Sequence, residues 1–166
     1  MSAHVTVGID NGTTGSVAII GPNGALFEPM FTKEHSEGMA GKVIRRIDCE
    51  ILEHWLLNNI DTLATAFAYV EKPFTGSPMM INTAVLAARS YEAVIVTLER
   101  MGIGYQQVTS KDWQRAILGE VKGSPALKKA SRLRGAQMYP ALAAAIQAHG
   151  DADGLLIAHH YHHNPA

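Results

Sequence analysis

The chain has 166 residues, of which 47% are hydrophobic and 17% are charged, a composition typical of one globular domain with a substantial core. We find no apolar run long enough to span a bilayer and no signal-peptide pattern, so we expect a cytoplasmic protein without a membrane partner. The single cysteine, Cys49, excludes an internal disulfide and fits a reducing compartment.

The net charge of −1 conceals an uneven distribution of charged residues along the chain. Between Arg100 and Arg134 there are eight lysines and arginines against two acids, whereas the rest of the chain carries six bases and thirteen acids. Such a basic segment indicates one face that binds a polyanion. The alternative is an ordinary solvated helical surface.

The N-terminal part of the chain predicts three strands joined by tight turns. Val5, Val7 and Ile9 alternate with smaller or polar residues, which is the pattern of a half-buried strand. A glycine-rich turn follows the first strand, and a Pro-Asn-Gly turn joins the second strand to the third. The predicted segments are strands at 4–10, 16–20 and 25–31, with a turn at 11–15 and a polar loop at 32–41.

The rest of the chain predicts alternating helices and strands. These segments are a helix at 42–59, a strand at Ala66–Glu71, a loop at 72–80, a helix at 82–101, a strand at 103–108, and helices at Ser110–Leu118, 126–138 and 151–161. This order predicts an α/β fold, with a five-stranded mixed sheet and helices on both faces, in a single domain over 1–166. The strand at Ala66–Glu71 is expected to lie parallel to the first strand through a right-handed crossover.

Acidic residues stand where two of these strands end and where the last helix begins. Asp10 and Glu71 each close an apolar strand, and Asp151 and Asp153 precede an apolar helix. Taken singly, they could be a turn acceptor, an ion-pair partner and a helix cap. If they converge, their mutual repulsion favours a bound divalent cation, and oxygen ligands suit Mg²⁺ or Mn²⁺. Two such ions can hydrolyse a phosphodiester.

Five short motifs, in order and at suitable separations, resemble the RuvC-type Holliday-junction resolvase family, in particular its compact phage-borne members. The resemblance covers nearly the whole chain, and the ordered set is more specific than any one motif. The motifs are Gly8-Ile9-Asp10 with Gly12 and Gly15, Val70-Glu71-Lys72-Pro73-Phe74, the segment from Val108 to Trp113, Lys128-Lys129-Ala130-Ser131, and the segment from Asp151 to Ala158.

The resemblance implies an RNase H-like fold, a homodimer, two Mg²⁺ ions, and paired nicks in a four-way DNA junction that leave 5′-phosphate ends. It implies roles in DNA recombination or repair, in a bacterial host cytoplasm if the chain is phage-encoded. Carried over by motif, Asp10, Glu71 and Asp153 are metal ligands, with Asp10 bridging both ions.

The fourth ligand departs from the family pattern. The family places an Asp or His three residues before the final Asp, and Gly150 occupies that position here. On a regular helix His149 would share a face with Asp153, whereas Asp151 would turn away. If the chain enters the helix irregularly, Asp151 is the better ligand for a hard metal. We favour Asp151 and keep His149 as the alternative.

Several residues are predicted to contact DNA. Phe74 matches an aromatic that the family uses near the junction centre, where it would stack on an unpaired base; the alternative is a core phenylalanine. Lys72 would contact the scissile phosphate or balance the acids. Trp113 is expected in the core rather than against a base. The predicted phosphate-backbone contacts are Arg115, Lys122, Lys128 and Lys129.

The helix at 82–101 is apolar over much of its circumference, which predicts burial by the core on one side and by a second subunit on the other. Its main stripe comprises Ala84, Ala87, Ala88, Tyr91, Ile95 and Leu98. Since a four-way junction is two-fold symmetric, a homodimer fits that substrate.

Three other functions fit parts of the sequence. The turn from Gly8 to Gly15 also resembles the phosphate-binding hairpin of actin-like ATPases and sugar kinases, but those proteins need a second lobe, so no nucleotide cofactor is expected. A flap nuclease or an RNA–DNA hybrid nuclease would use the same metal chemistry. A catalytically inactive DNA-binding scaffold would not need the full set of acids.

Overall fold

The computed structural model describes residues 4–37, 42–73 and 81–165. Its strands are β1 (Val5–Asp10), β2 (Ser16–Gly21), β3 (Gly24–Pro29), β4 (Thr32–Glu37), β5 (Lys42–Ile47), β6 (Ala66–Glu71) and β7 (Gly104–Val108). Its helices are α1 (Cys49–Asn59), α2 (Ile81–Met101), α3 (Ser110–Leu118), α4 (Ser124–Met138), α5 (Ala143–His149) and α6 (Asp153–His163). None of the described helices could cross a lipid bilayer.

Five strands form one mixed sheet in the order β3-β2-β1-β6-β7. The chain pairs β1, β2 and β3 antiparallel, and then adds β6 and β7 parallel to β1. The predicted five-stranded sheet and the parallel placement of β6 beside β1 are therefore confirmed. Asp10 and Glu71 end adjacent parallel strands, so the sheet brings them to the same edge.

Each face of the sheet carries its own hydrophobic core. Val7, Ile9 and Val70 point to the face covered by α1 and α2, where they meet residues such as Leu56 and Leu98. The opposite face packs against α6 and α3 through buried residues that include Tyr69, Trp113, Leu155 and Ile157. Because side chains alternate along a strand, Thr6, Gly8 and Asp10 face α6.

Two predicted elements between β3 and α1 are wrong. The polar loop at 32–41 contains the strand β4, and the helix at 42–59 is divided into the strand β5 and the shorter helix α1. The strands β4 and β5 form a separate antiparallel pair, in which Glu34 lies opposite Arg45. Asp48 separates β5 from α1 and caps the helix, since its Oδ1 accepts from Ile51 N at 3.4 Å. Cys49 starts α1 as a free, half-buried thiol.

The C-terminal region contains one helix that the sequence did not predict. The helix α5 ends at Gly150, which takes a left-handed conformation with φ of 105°. The last helix then begins at Asp153 and not at Asp151. Asp151 and Ala152 therefore form a non-helical link between two helices.

Candidate metal centre

Four acidic side chains come from the sheet edge and from the start of α6. Asp10 ends β1, Glu71 ends β6, Asp153 begins α6, and Asp151 lies in the link before it. Ligand oxygens of Asp10, Asp151 and Asp153 all lie within 4.8 Å of one another. Glu71 is near enough for its charge to act on Asp10. The three separated sequence motifs therefore meet at one place.

Glycines let α6 approach β1 closely enough to form this cluster. A Cβ on Gly8 would lie 2.2 Å from the carbonyl oxygen of Gly154 and 2.3 Å from the amide nitrogen of Ala158. A Cβ on Gly154 would lie 2.6 Å from the carbonyl oxygen of Ser16. Only residues without side chains allow such a contact. In addition, Gly154 N donates to Ser16 Oγ at 3.0 Å, which fixes the first turn of α6 to β2.

The turn after β1 holds Asp10 in place. Gly15 N donates to Gly12 O at 2.8 Å, and a Cβ on Gly15 would lie 2.1 Å from the carbonyl oxygen of Asp10. The buried side chain of Asn11 donates to the carbonyl oxygen of Glu71. This bond joins the ends of β1 and β6 and sets the spacing of their two acids.

Trp113 orients Glu71. The indole Nε1 of Trp113 donates to Glu71 Oε2 at 2.8 Å, and the Trp113 side chain is fully buried. Its helix starts just after Thr109, whose backbone N–H donates to Asp112 at 2.7 Å. The sequence predicted a core position for Trp113, which is confirmed. The sequence did not predict the hydrogen bond from Trp113 to Glu71. This bond occupies Oε2 and leaves Oε1 of Glu71 for a ligand.

Ser131 performs the corresponding function for Asp153. Its buried hydroxyl group donates to Asp153 Oδ1 and accepts from Ala152 N at 3.0 Å. Gly135, one turn further along α4, leaves room for this arrangement, because a Cβ there would lie 2.4 Å from the Cβ of Ala152. The helix α4 therefore holds Ala152 and the start of α6 in place.

Asp151 and His149 occupy different positions relative to the cluster. Asp151 converges with Asp10 and Asp153, because the left-handed Gly150 takes the chain out of the helix before it. His149 contacts Asp151 instead, with Nε2 lying 3.4 Å from Oδ1. Lys128 Nζ approaches the other oxygen, Oδ2, at 3.6 Å. The chain therefore enters α6 irregularly, which is the condition under which the sequence favours Asp151 over His149 as the fourth ligand.

The acids are protonated unusually easily in the absence of a metal. Burial, together with the charges of Glu71 and Asp151, raises the pKa of Asp10 from 3.8 to about 7. Burial also raises the pKa of Glu71 and that of Asp153 to about 7, against the hydrogen bonds from Trp113 and Ser131. Such mutual repulsion among buried carboxylates is relieved by a divalent cation. The all-oxygen donor set fits Mg²⁺ or Mn²⁺.

Asp151 behaves differently from its neighbours. Although burial alone would raise it, the contact with His149 and the nearby Lys128 lower the pKa of Asp151. The same contact raises the pKa of His149. Asp151 is thus the most readily ionised member of the cluster, with Lys128 and His149 beside it.

The predicted DNA contacts are exposed side chains, except for one residue outside the described ranges. Lys72 directly follows Glu71 and is exposed. Arg115, Lys122, Lys128 and Lys129 are exposed on α3, on α4 and between them. Lys128 reaches the acids directly, whereas Arg115 lies 3.9 Å from Glu120. Phe74 falls outside the described residues.

Four residues that sequence reasoning did not assign to the site support it: Asn11, Ser16, Trp113 and Ser131. Trp113 and Ser131 lay within motifs already singled out, so their proximity in sequence to the basic residues was an available signal. The contacts of Asn11 and Ser16 depend on strand pairing and had no such signal.

No family model and no curated protein matches the chain. Among solved structures, it is similar to Thermus thermophilus RuvC in complex with a Holliday junction substrate, with a TM-score of 0.57 and 18% identity, over 93% of this chain and 90% of that one. A second structure, of Thermus thermophilus RuvC, aligns with a TM-score of 0.49 and 16% identity over the same shares. At this identity the likeness establishes the fold. The predicted RNase H-like α/β architecture is confirmed.

Proposed function

We propose that the chain is a Mg²⁺-dependent endonuclease that cuts four-way DNA junctions by paired nicks. The observation that carries this proposal is the convergence of Asp10, Asp151 and Asp153, with Glu71 close by, at the edge of an RNase H-like sheet. Carboxylates at such positions are the ligands of nucleases that use two metal ions. The similar RuvC structure has a Holliday junction as its substrate, which favours branched DNA.

Four side chains would hold two Mg²⁺ ions, with Mn²⁺ as a substitute. By the family resemblance, Asp10 is the candidate for the ligand that would bind both ions. Trp113 holds one carboxylate oxygen of Glu71, and Ser131 holds one carboxylate oxygen of Asp153. In each case the second oxygen would bind a metal ion. When bound there, Mg²⁺ supplies an activated water and neutralises charge on the scissile phosphate. His149 contributes by holding Asp151 ionised.

The helices α3 and α4 would guide DNA to the acids. They carry Arg115, Lys128 and Lys129, and the same two helices contribute Trp113 and Ser131 to the site. Exposed lysines and arginines on helices this close to the acidic cluster are suited to contact DNA phosphates. Such contacts do not depend on the DNA sequence. Lys72 would act at the scissile phosphate, and Phe74 remains a candidate for stacking on a base.

Paired nicks need two active sites, and we propose that a second copy binds the first half of α2. Ile81 is 81% exposed, and Val85 and Leu86 are 44% and 38% exposed. The buried positions of α2 start only at Ser90. Exposed apolar side chains within the first two turns are typical of a helix that packs against a partner.

The proposed activity is tested by incubating the protein with four-way junction, flap, RNA–DNA hybrid and linear duplex substrates, with Mg²⁺ or EDTA. We expect symmetric nicking of the junction with Mg²⁺ only. Asp10→Asn should reduce cleavage by about a thousandfold or more, since removal of a bridging ligand disrupts both metal positions, while junction binding persists.

The matched control for that variant is Asp61→Asn. Asp61 is an exposed acid that lies before β6, at the opposite edge of the sheet, so its loss should leave cleavage unchanged. Normal cutting by Asp10→Asn would refute the mechanism. Preferential cutting of flaps or hybrids would keep the metal chemistry and change the substrate class.

A further inference from the structure

A group of histidines lies at the end of α6 opposite the acidic cluster. Asp153 begins this helix and His163 ends it, so the two ends are about 15 Å apart along the axis. The proposed nuclease function uses only the first of these ends. The histidines at or near the far end are His4, His159, His160, His162 and His163.

Two of these histidines have the spacing of a chelating pair. His159 and His163 are four residues apart and share a helix face, and their ring centroids lie 4.5 Å apart with an angle of 61° between the ring planes. With Zn–N bonds of about 2.0–2.1 Å, two imidazoles on one tetrahedral ion have centroids about 5 Å apart. A small opening of the exposed His163 side chain would therefore suffice for joint coordination.

The ring of His159 is held by a partner from another element. Its Nδ1 lies 2.8 Å from the hydroxyl group of Tyr139 at the end of α4, so Nε2 remains for a metal. Histidine ligands in metalloproteins commonly use their second ring nitrogen in this way, which fixes both orientation and tautomer. The neighbouring His162 is held similarly, with Nδ1 3.0 Å from Thr6 Oγ1.

Protonation does not compete strongly for the lone pair of His159. Burial, reinforced by the charges of His163 and Arg134, lowers the pKa of His159 from 6.5 to about 4. Burial also lowers the pKa of His162. Metals bind only the neutral imidazole, so a histidine that is neutral at pH 7 binds them without losing a proton.

We propose that His159 and His163 form a binding site for a borderline transition-metal ion such as Zn²⁺, separate from the acidic cluster. Imidazole ligands favour Zn²⁺, Ni²⁺ or Cu²⁺ over Mg²⁺, so the two ends of α6 select different ions. Among the described residues, three or more potential ligands converge only in the acidic cluster. The histidine site therefore has two protein ligands, and water completes the coordination.

Zn²⁺ titration of the full chain by calorimetry at pH 7.5, with Mg²⁺ in large excess, tests this site. We expect one Zn²⁺ per chain. His163→Gln should weaken that binding by at least about tenfold, because one of two ligands is lost, and it should fold normally since His163 is exposed. Tyr139→Phe should weaken it by about tenfold through loss of the partner of His159.

His160→Gln is the matched control, because His160 belongs to the same helix turn but faces about 100° away from His159. It should bind Zn²⁺ like the parent chain. Equal Zn²⁺ affinity in the parent and His163→Gln would overturn the proposal. Loss of the Zn²⁺ signal in Asp10→Asn, with retention in His163→Gln, would also overturn it by assigning the ion to the acidic cluster. Neither result depends on nuclease activity.

Discussion

A tryptophan that belongs to the core also controls a carboxylate. Trp113→Phe keeps an aromatic ring in the core but removes the N–H that holds Glu71 Oε2. We expect cleavage to fall about ten- to hundredfold, the size typical when a group that orients a metal ligand is lost. The Mg²⁺ concentration that gives half the maximal cleavage rate should be higher in this variant than in the parent chain.

Trp55→Phe is the appropriate comparison for that variant. Trp55 is a half-buried residue of α1 on the opposite face of the sheet, where it packs against Phe31. Its truncation should lower the free energy of unfolding without changing the Mg²⁺ dependence. If both variants lost activity in proportion to stability, the positioning function of Trp113 would be rejected.

The raised pKa values of the acids predict how stability depends on pH. Asp10, Glu71 and Asp153 have pKa values of about 7 in the folded chain, against about 4 when unfolded. Their protonated forms stabilise the fold fully below about pH 4, and this contribution is lost as pH rises through 7. In EDTA, the melting temperature should therefore fall mainly between about pH 5 and pH 7, and these groups should change it little above pH 8.

Mg²⁺ should reverse this loss, and more strongly at pH 8 than at pH 6, because it binds the ionised carboxylates. At a free concentration of about 100 times Kd, the gain is about 2.7 kcal/mol. Scanning calorimetry of the parent chain and Asp10→Asn, with and without Mg²⁺, measures both effects. If the melting temperature of the parent chain changed with neither pH nor Mg²⁺, the proposed repulsion among the buried carboxylates would be contradicted.

At the scale of elements, the contact between β1 and α6 decides whether the acids meet. Gly8→Ala places a Cβ 2.2 Å from the carbonyl oxygen of Gly154, and backbone atoms on both sides prevent a local adjustment. We expect a loss of about 3 kcal/mol in the free energy of unfolding, at the upper end for an overpacked site. Urea denaturation measures it.

Gly21→Ala provides the control for that substitution. It lies at the end of β2, where a Cβ would meet only the Val5 side chain at 3.3 Å, so the cost should stay below about 1 kcal/mol. Equal effects at the two glycines would show that the close approach of α6 is not required.

The sequence predicted the elements whose pattern is set locally. Asp10 and Glu71 stand out because each follows an apolar alternating run, and the order of elements then brings them to one edge. The strand β5 differs from the predicted helix, because Val43, Ile47 and Ile51 have helical spacing although Asp48 ends the strand and caps α1. Contacts such as Trp113 to Glu71 depend on how helices are placed on the sheet, which no local pattern encodes.

At the scale of the whole molecule, the proposed assembly depends on the exposed half of α2. Val85→Asp places a charge among the apolar side chains proposed to meet a second copy, and should convert a dimer into a monomer. Light scattering coupled to size exclusion measures this change. The monomeric variant should keep its acidic cluster but lose paired nicking, because each chain carries one acidic cluster.

Leu57→Asp is the control for the dimer. Leu57 on α1 is 48% exposed, close to the 44% of Val85, but lies on another helix. It should leave the dimer intact. A parent chain that is monomeric at micromolar concentration would remove this part of the proposal and leave the proposed metal site unaffected.

The contact of Gly8 with Gly154 has a consequence for recognising distant relatives. Any side chain at either position would push the last helix away from the central strand and separate the acids that it must bring together. Such a constraint acts on backbone spacing and is independent of the residues that fill the cores. Two small residues, one two places before the first acid and one directly after the last, therefore give a search pattern that does not depend on the residues filling the cores.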